Sequence, residues 1–277
     1  MAALAWMVLL TLITVISVVI FWGHYWWFPV NISTHGAAMD HQFTLTLIIC
    51  AVVFVASQLG LAWFVWKYRD RGDGRKVTYS HGNNTLEFTW TTAATIVFVG
   101  LNLLGYHVWA QTHFTGASPG ALRIEAWGEQ FQWYFRYPGA DGQFGTSHPE
   151  KMNDGTGNYL GLDREHDPAA KDDIVTATLA IPANREVELI LRSKDVNHSF
   201  YCRELRVHQD LVPGMEIPIH FTASDEALKN GEAGTPGRYE IVCTQLCGLG
   251  HYKMRAFLQV MTEADFEKWL QQQAAMQ

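Results

Sequence analysis

Cysteine is scarce: the 277 residues hold four, Cys50, Cys202, Cys243 and Cys247, too few for a disulfide-stapled scaffold. Cationic charge is missing from the front of the chain, where the first Lys or Arg is Lys67. A cleavable secretory leader opens with a positive stretch, so the apolar first segment is expected to be retained as a helix. There is no Cys-x-x-Cys-His, which excludes covalently attached c-type haem.

The charge that is present lies mostly at the back. Residues 1–112 hold five Lys/Arg and four Asp/Glu, while the remainder holds fifteen and twenty-three, a net charge of about −8 with reference pKa values. Three apolar stretches, 3–22, 41–66 and 88–110, contain no Asp, Glu, Lys or Arg. Each is long enough to cross a bilayer, which takes about 20 residues. Trp26 and Trp27 follow the first as interfacial aromatics. The expected organisation is an extra N-terminal transmembrane helix (1–30), a transmembrane hairpin (31–112) and a soluble acidic domain (113–277). Every base of the front half falls within 67–76. By the positive-inside rule the 67–87 loop and the N-terminus are cytoplasmic, and the acidic domain faces the opposite, more oxidising side.

From residue 122 the pattern changes to short β-type runs bounded by Gly, Pro, Asn or Asp: 122–127, 131–137, 174–181, 186–192, 214–222, 237–243 and 255–261. Many short strands with turn signals imply a β-sandwich or Greek-key barrel. Residues 264–273 read as a closing helix with Thr262 as N-cap and acids in its first turn. Residues 139–173, rich in Gly and Asp without an apolar period, read as a long surface excursion.

Cys243, Cys247, His251 and Met254 stand in the spacing Cys-x3-Cys-x3-His-x2-Met. These soft and borderline ligands favour copper over hard cations, and a mononuclear blue-copper site uses only one cysteine. Two thiolates could bridge two copper ions, given a second histidine from elsewhere. A Cys243–Cys247 disulfide would leave the histidine and methionine spacing to chance, and zinc takes Cys and His but has no use for Met. The second histidine is expected to be His198, on a loop just after the 186–192 strand, since ligands are usually held on loops over a rigid scaffold. His208 and His220 compete; His220 alternates inside a strand pattern and His208 has no partner spacing. Cys50 and Cys202 read as structural core residues.

With these residues in hand, 194–200 (KDVNHSF) resembles the S-x-D-V-x-H-S-F/W signature of cytochrome c oxidase subunit II, and 243–254 (CTQLCGLGHYKM) resembles that family's binuclear copper A motif. His81–Trp90, Gln130–Tyr137 and Asp210–Gly214 are similar to further family segments in the same order. The resemblance runs from about 41 to 261. It implies a transmembrane helical hairpin followed by an all-β cupredoxin-like Greek-key domain carrying two copper ions. Cys243 and Cys247 would bridge both metals, His198 and His251 would each cap one, and Met254 and the Gln245 carbonyl would be weak ligands. The implied role is electron receipt in a respiratory haem–copper oxygen reductase of a bacterial inner membrane, with the C-terminal domain periplasmic. Single electrons would come from cytochrome c or a cytochrome c domain. They would pass to haem in subunit I, where oxygen is reduced to water with proton translocation. Subunit III and membrane lipid are further expected partners, nucleic acid is not, and no catalytic residue is expected in this chain.

Three departures stand against the family pattern. The usual electron-receiving Trp is Phe131, with Trp133 or Trp127 as substitutes whose ordinary reading is packing. Gln245 replaces a Glu, keeping the carbonyl but losing a carboxylate that a nearby magnesium site would use, so magnesium is not assigned. The extra first helix and an insertion at 223–236 exceed the common pattern. Glu87, at the start of the third apolar stretch, reads either as a favourable helix-terminal carboxylate or, by resemblance, as the mouth of a proton pathway. A quinol oxidase subunit would be expected to lack the copper ligands, and nitrous oxide reductase needs a large catalytic domain for which the chain has no room. The alternative from another class is a membrane-tethered copper carrier or assembly protein.

Overall fold

The computed structural model of the chain describes residues 2–24, 27–76, 78–79, 81–231 and 234–277; Trp26 lies outside them. Among the described residues, helices α1 (Ala2–Trp22), α2 (Gly36–Lys67) and α3 (Asn84–His113) are long and apolar enough to cross a membrane. α2 and α3 overrun their apolar stretches because polar caps start them earlier. The Leu86 N–H donates to Asn83 Oδ1 at 3.0 Å, and the Gly36 N–H donates to Ser33 Oγ at 3.1 Å. A Cβ on Gly36 would lie 2.0 Å from Asn31 Oδ1, so only glycine fits this start. Cys50 is exposed on α2, not in a protein core: a helix whose apolar residues suit lipid offers no inside to be read from hydrophobicity alone.

The chain packs as two units, with divisions after Phe28, Ala37 and Val108. Residues 29–37, between α1 and α2, join the β-unit. Ile32 is fully buried there; its N–H donates to the Glu204 carbonyl at 3.0 Å and its carbonyl accepts from Ser224 N at 2.7 Å.

The β-unit contains β1 (Leu122–Glu129), β2 (Gln132–Tyr137), β3 (Ile174–Thr176), β4 (Thr178–Pro182), β5 (Glu186–Ser193), β6 (His198–Cys202), β7 (Val207–Leu211), β8 (Ile217–Thr222), β9 (Arg238–Cys243) and β10 (Arg255–Met261). One sheet runs β3-β2-β1-β5-β8 and the other β4-β10-β9-β6-β7. Leu122, Ile124, Leu189, Phe200, Ile241 and Leu258, among others, fill the single core between them. α4 (Glu226–Lys229) falls within residues 223–236 and α5 (Glu263–Ala274) follows β10. Thr262 caps α5, accepting from Asp265 N at 3.3 Å, and α5 buries Phe266 beside Tyr137.

Several strand expectations need correction. The run 174–181 is two strands in different sheets, β3 on β2 and β4 on β10; the Thr176 hydroxyl donates to the Thr178 carbonyl at 2.7 Å across the step. The run 214–222 begins at Ile217, because Val212–Met215 is a turn closed at 3.1 Å with Gly214 at φ +79, as a Pro-Gly turn requires. Strands β6 and β7 were not legible: they are five residues each, with polar residues interleaved.

β1 does not alternate in burial, since Glu125 and Trp127 are as buried as its core-facing side. The excursion 139–173 covers that outer face, where Trp127 and Tyr134 pack with Leu160, Leu162 and Ala170. Beneath it lies a charge network centred on Arg136. Arg136, 1% exposed, donates to Glu125 Oε2 and Asp173 Oδ2, each at 3.0 Å. Glu125 also accepts Trp127 Nε1–H at 3.0 Å and forms an ion pair with Arg192, Nε to Oε1 2.9 Å. Removing one member of a buried pair strands the other. Arg136→Met is therefore expected to destabilise the β-unit by about 3–5 kcal/mol, with Arg136→Met/Asp173→Leu costing less, as read from chemical unfolding followed by tryptophan fluorescence.

Candidate metal centre

The connection between β9 and β10 is a hairpin loop closed at its base by Cys243 N–H donating to the Met254 carbonyl at 3.1 Å. That closure places the first and last residues of the motif side by side. Inside the loop, the His251 N–H donates to the Gly248 carbonyl at 3.1 Å and the Met254 N–H to the His251 carbonyl at 3.2 Å, winding a short turn. The turn carries His251 back toward Cys247. Gly248 sits at φ +133, a conformation open to glycine.

His198 arrives from the neighbouring strand. β6 pairs antiparallel with β9 in the register Phe200↔Cys243, and Thr244 N–H donates to the Ser199 carbonyl at 3.2 Å. The start of β6 therefore faces the start of the loop. His198 is the first residue of that strand and fully buried, not a loop residue as expected; its β-pairing is what fixes it.

The ligand atoms of His198, Cys243 and Cys247 all lie within 4.8 Å of one another. The sulfurs are 3.9 Å apart, both thiols free, against about 2.05 Å in a disulfide. His198 Nδ1 is 3.8 Å from Cys243 Sγ, and His251 Nδ1 is 3.6 Å from Cys247 Sγ. Met254, buried, brings Sδ to 3.8 Å from Cys247 Sγ, and the Gln245 carbonyl oxygen lies 3.2 Å from Cys243 Sγ. All six expected donors thus converge. Two thiols, two imidazoles, a thioether and a carbonyl are a donor set for copper; zinc would leave the thioether unused.

The electrostatics split the two thiols. Burial opposes charge on Cys243, but hydrogen bonds from His198 and the backbone outweigh it and bring the thiol below its usual range. Burial and the neighbouring Cys243 sulfur push Cys247 up. His198 Nε2 faces Asp195 Oδ1 at 2.8 Å, which leaves Nδ1 toward the sulfurs. Burial works against the Asp195 charge, but the Gln130 N–H and His198 hold its carboxyl below the ordinary range. Gln130 spans both arms: its backbone N–H donates to Asp195 Oδ2 at 2.8 Å and its side-chain amide to the Cys247 carbonyl. Neither Asp195 nor Gln130 was singled out from sequence; the Asp-x-x-His spacing was the available signal for the first.

The Phe131 ring lies on the metal loop. A Cβ on Gly250 would fall 2.4 Å from that ring, and one on Gly248 about as close to it as 3.1 Å. Trp133 is buried, 6.3 Å from the His198 ring between centroids. Trp127 instead points into the outer cluster and bonds Glu125. His208 pairs with Thr244 at 3.0 Å, and His220 with Glu186 at 2.8 Å and Thr115 at 3.1 Å; neither joins the cluster. Cys202 is fully buried and its thiol is pushed up to about 12 by burial, as a structural residue's would be. Glu87 stands in the first turn of α3 and belongs to the helical unit.

Comparison with known proteins gives the family of the chain. Residues 122–261 match the family described as cytochrome C oxidase subunit II, periplasmic domain. The alternative cytochrome c oxidase subunit 2 of Bradyrhizobium diazoefficiens is 36% identical over 270 residues, 96% of this chain and 91% of that one. The cytochrome c oxidase subunit 2 of Thermostichus vulcanus is 26% identical over 324 residues, covering 96% and 85%. The crystal structure of the periplasmic domain of subunit II of cytochrome oxidase from Bradyrhizobium japonicum aligns with TM-score 0.39 and 23% identity, over 58% of this chain and 99% of that one. The chain belongs to the cytochrome c oxidase subunit II family.

Proposed function

We propose that this subunit receives single electrons from a cytochrome c-type donor at a binuclear copper site and delivers them to haem in subunit I of a haem–copper oxidase. There oxygen would be reduced to water with proton translocation. The observation that carries the reading is the convergence of the His198, Cys243 and Cys247 ligand atoms within 4.8 Å, with His251, Met254 and the Gln245 carbonyl at their margins. Two copper ions, when bound, would supply a one-electron store spread over shared thiolates. Cys243 and Cys247 would hold both ions, His198 and His251 one each, with Met254 and the Gln245 carbonyl as weak ligands. Asp195 fixes the His198 ring, and the β6–β9–β10 ladder limits ligand movement between oxidation states. A carrier that hands metal on needs exchangeable ligands; here His198 is fully buried and Met254 is 1% exposed, which favours electron transfer.

Phe131, covering the loop, is the proposed point of electron receipt, with Trp133 behind His198. The proposed arrangement has α1 as an additional membrane helix, α2 and α3 as the hairpin, the basic 67–76 segment cytoplasmic and the β-unit periplasmic in a bacterial inner membrane. Subunit III is a further proposed neighbour, and Glu87 is proposed to open a proton route into subunit I. The acidic β-unit would attract a basic donor through long-range steering.

Two measurements test this. Copper-loaded protein is expected to give an electron paramagnetic resonance hyperfine pattern from one electron shared by two equivalent copper nuclei. His198→Ala is expected to abolish it; a pattern that survives removes His198 from the site. Donor oxidation is expected to slow as ionic strength rises through the range where the screening length falls from about 30 to 10 Å, and a flat dependence argues against an electrostatic encounter.

A further inference from the structure

One largely shielded ion pair stands beside both arms of the donor set. Lys194 places Nζ 2.8 Å from Glu129 Oε2, the two side chains being 8% and 15% exposed. β1 and β5 run parallel with Gly128 opposite Ser193, and Lys194 N–H donates to the Gly128 carbonyl at 3.0 Å. The two strand ends therefore leave the sheet together. At the first step Glu129 meets Lys194; at the next, Gln130 meets Asp195. Those second-step residues are the ones that orient His198 and hold the Cys247 carbonyl.

The excursion 139–173 closes over the pair. Asp154 Oδ1 lies 3.4 Å from Lys194 Nζ. The ammonium also stands 5.4 Å over the Tyr134 ring, and Tyr159 of the excursion stacks on Tyr134 at 4.6 Å. A solvated pair of this kind would be worth little and would fix nothing. Largely shielded from water, each charge depends on the other and the pair favours one geometry.

We infer that the Lys194–Glu129 pair, sealed by the 139–173 excursion, is a positioning clamp for the metal site. It holds the ends of β1 and β5 in the one arrangement that lets Asp195 aim His198 and Gln130 restrain the Cys247 loop. The inference rests on the copper reading above and assigns the excursion a role in it.

The test uses the full-length protein in detergent, loaded with copper and read by its hyperfine pattern and by copper release to excess chelator. Lys194→Met and the near-isosteric Glu129→Gln are each expected to release copper about 10-fold faster, the usual scale for a group that supports a ligand, and to lose the equivalence of the two nuclei. Lys194→Arg is expected to retain both properties. The double variant is expected to be no worse than either single one, as for coupled partners. Phe266→Leu, in the core beside Tyr137, is the control: it lowers the unfolding midpoint and leaves the spectrum alone. Wild-type release and spectrum in Glu129→Gln would overturn the clamp, as would an equal spectral change in Phe266→Leu. Wild-type protein that takes up no copper at Cys243 and Cys247 would sink the metal reading itself, and the two failures are told apart on that sample.

Discussion

The antiparallel pairing of β9 with β6 on one side and β10 on the other is the constraint on which the site depends. Six donors spread from His198 to Met254 have no reason to meet in an extended chain. Backbone hydrogen bonds at Phe200↔Cys243 and at the Cys243–Met254 base bring them together before any metal chemistry is considered. A shift of one residue in either ladder would turn alternate side chains to the opposite face and scatter the cluster. The metal-binding geometry is thus a property of main-chain register, with the side chains supplying only the chemistry.

The outer face of the first sheet obeys a different rule. A sheet in a two-layer sandwich usually leaves that face to water. Here an irregular segment with little regular structure covers it, and polar residues that would have been solvated are buried (Glu125, Arg136, Asp173) or largely shielded (Arg192, Lys194, Glu129). They survive because they answer each other: Arg136 with Glu125 and Asp173, Arg192 with Glu125, Lys194 with Glu129. Such networks tolerate little editing, since each member's charge is acceptable only in company.

The membrane helices and the donor loop were legible because their signals are local. An uncharged apolar stretch marks itself, and Cys-x3-Cys-x3-His-x2-Met sits within one hairpin. Thr262 likewise announces α5. What escaped was whatever depends on distant partners. The 174–181 run carries one strand-like pattern, yet Ala177 is where the chain leaves one sheet for the other, a decision made by β2 and β10. His198 does meet the two cysteines, but from a strand and not from the loop its sequence suggests, because β6 is too short and polar to register as a strand without β7 and β9 beside it. Asp195, Gln130 and Lys194 carry no role that their own sequence neighbourhood assigns; the parallel β1–β5 register gives them their partners.

The stitching of Ile32 into the β-unit bears on how this polypeptide can be dissected. A soluble fragment begun after α3 would lack the stretch that satisfies the Glu204 carbonyl and the Ser224 amide, and would carry a slot shaped for one isoleucine. By analogy with emptied core positions the loss is about 2–5 kcal/mol. Fragments of this chain will therefore understate the resilience of the intact subunit unless those few residues are grafted back.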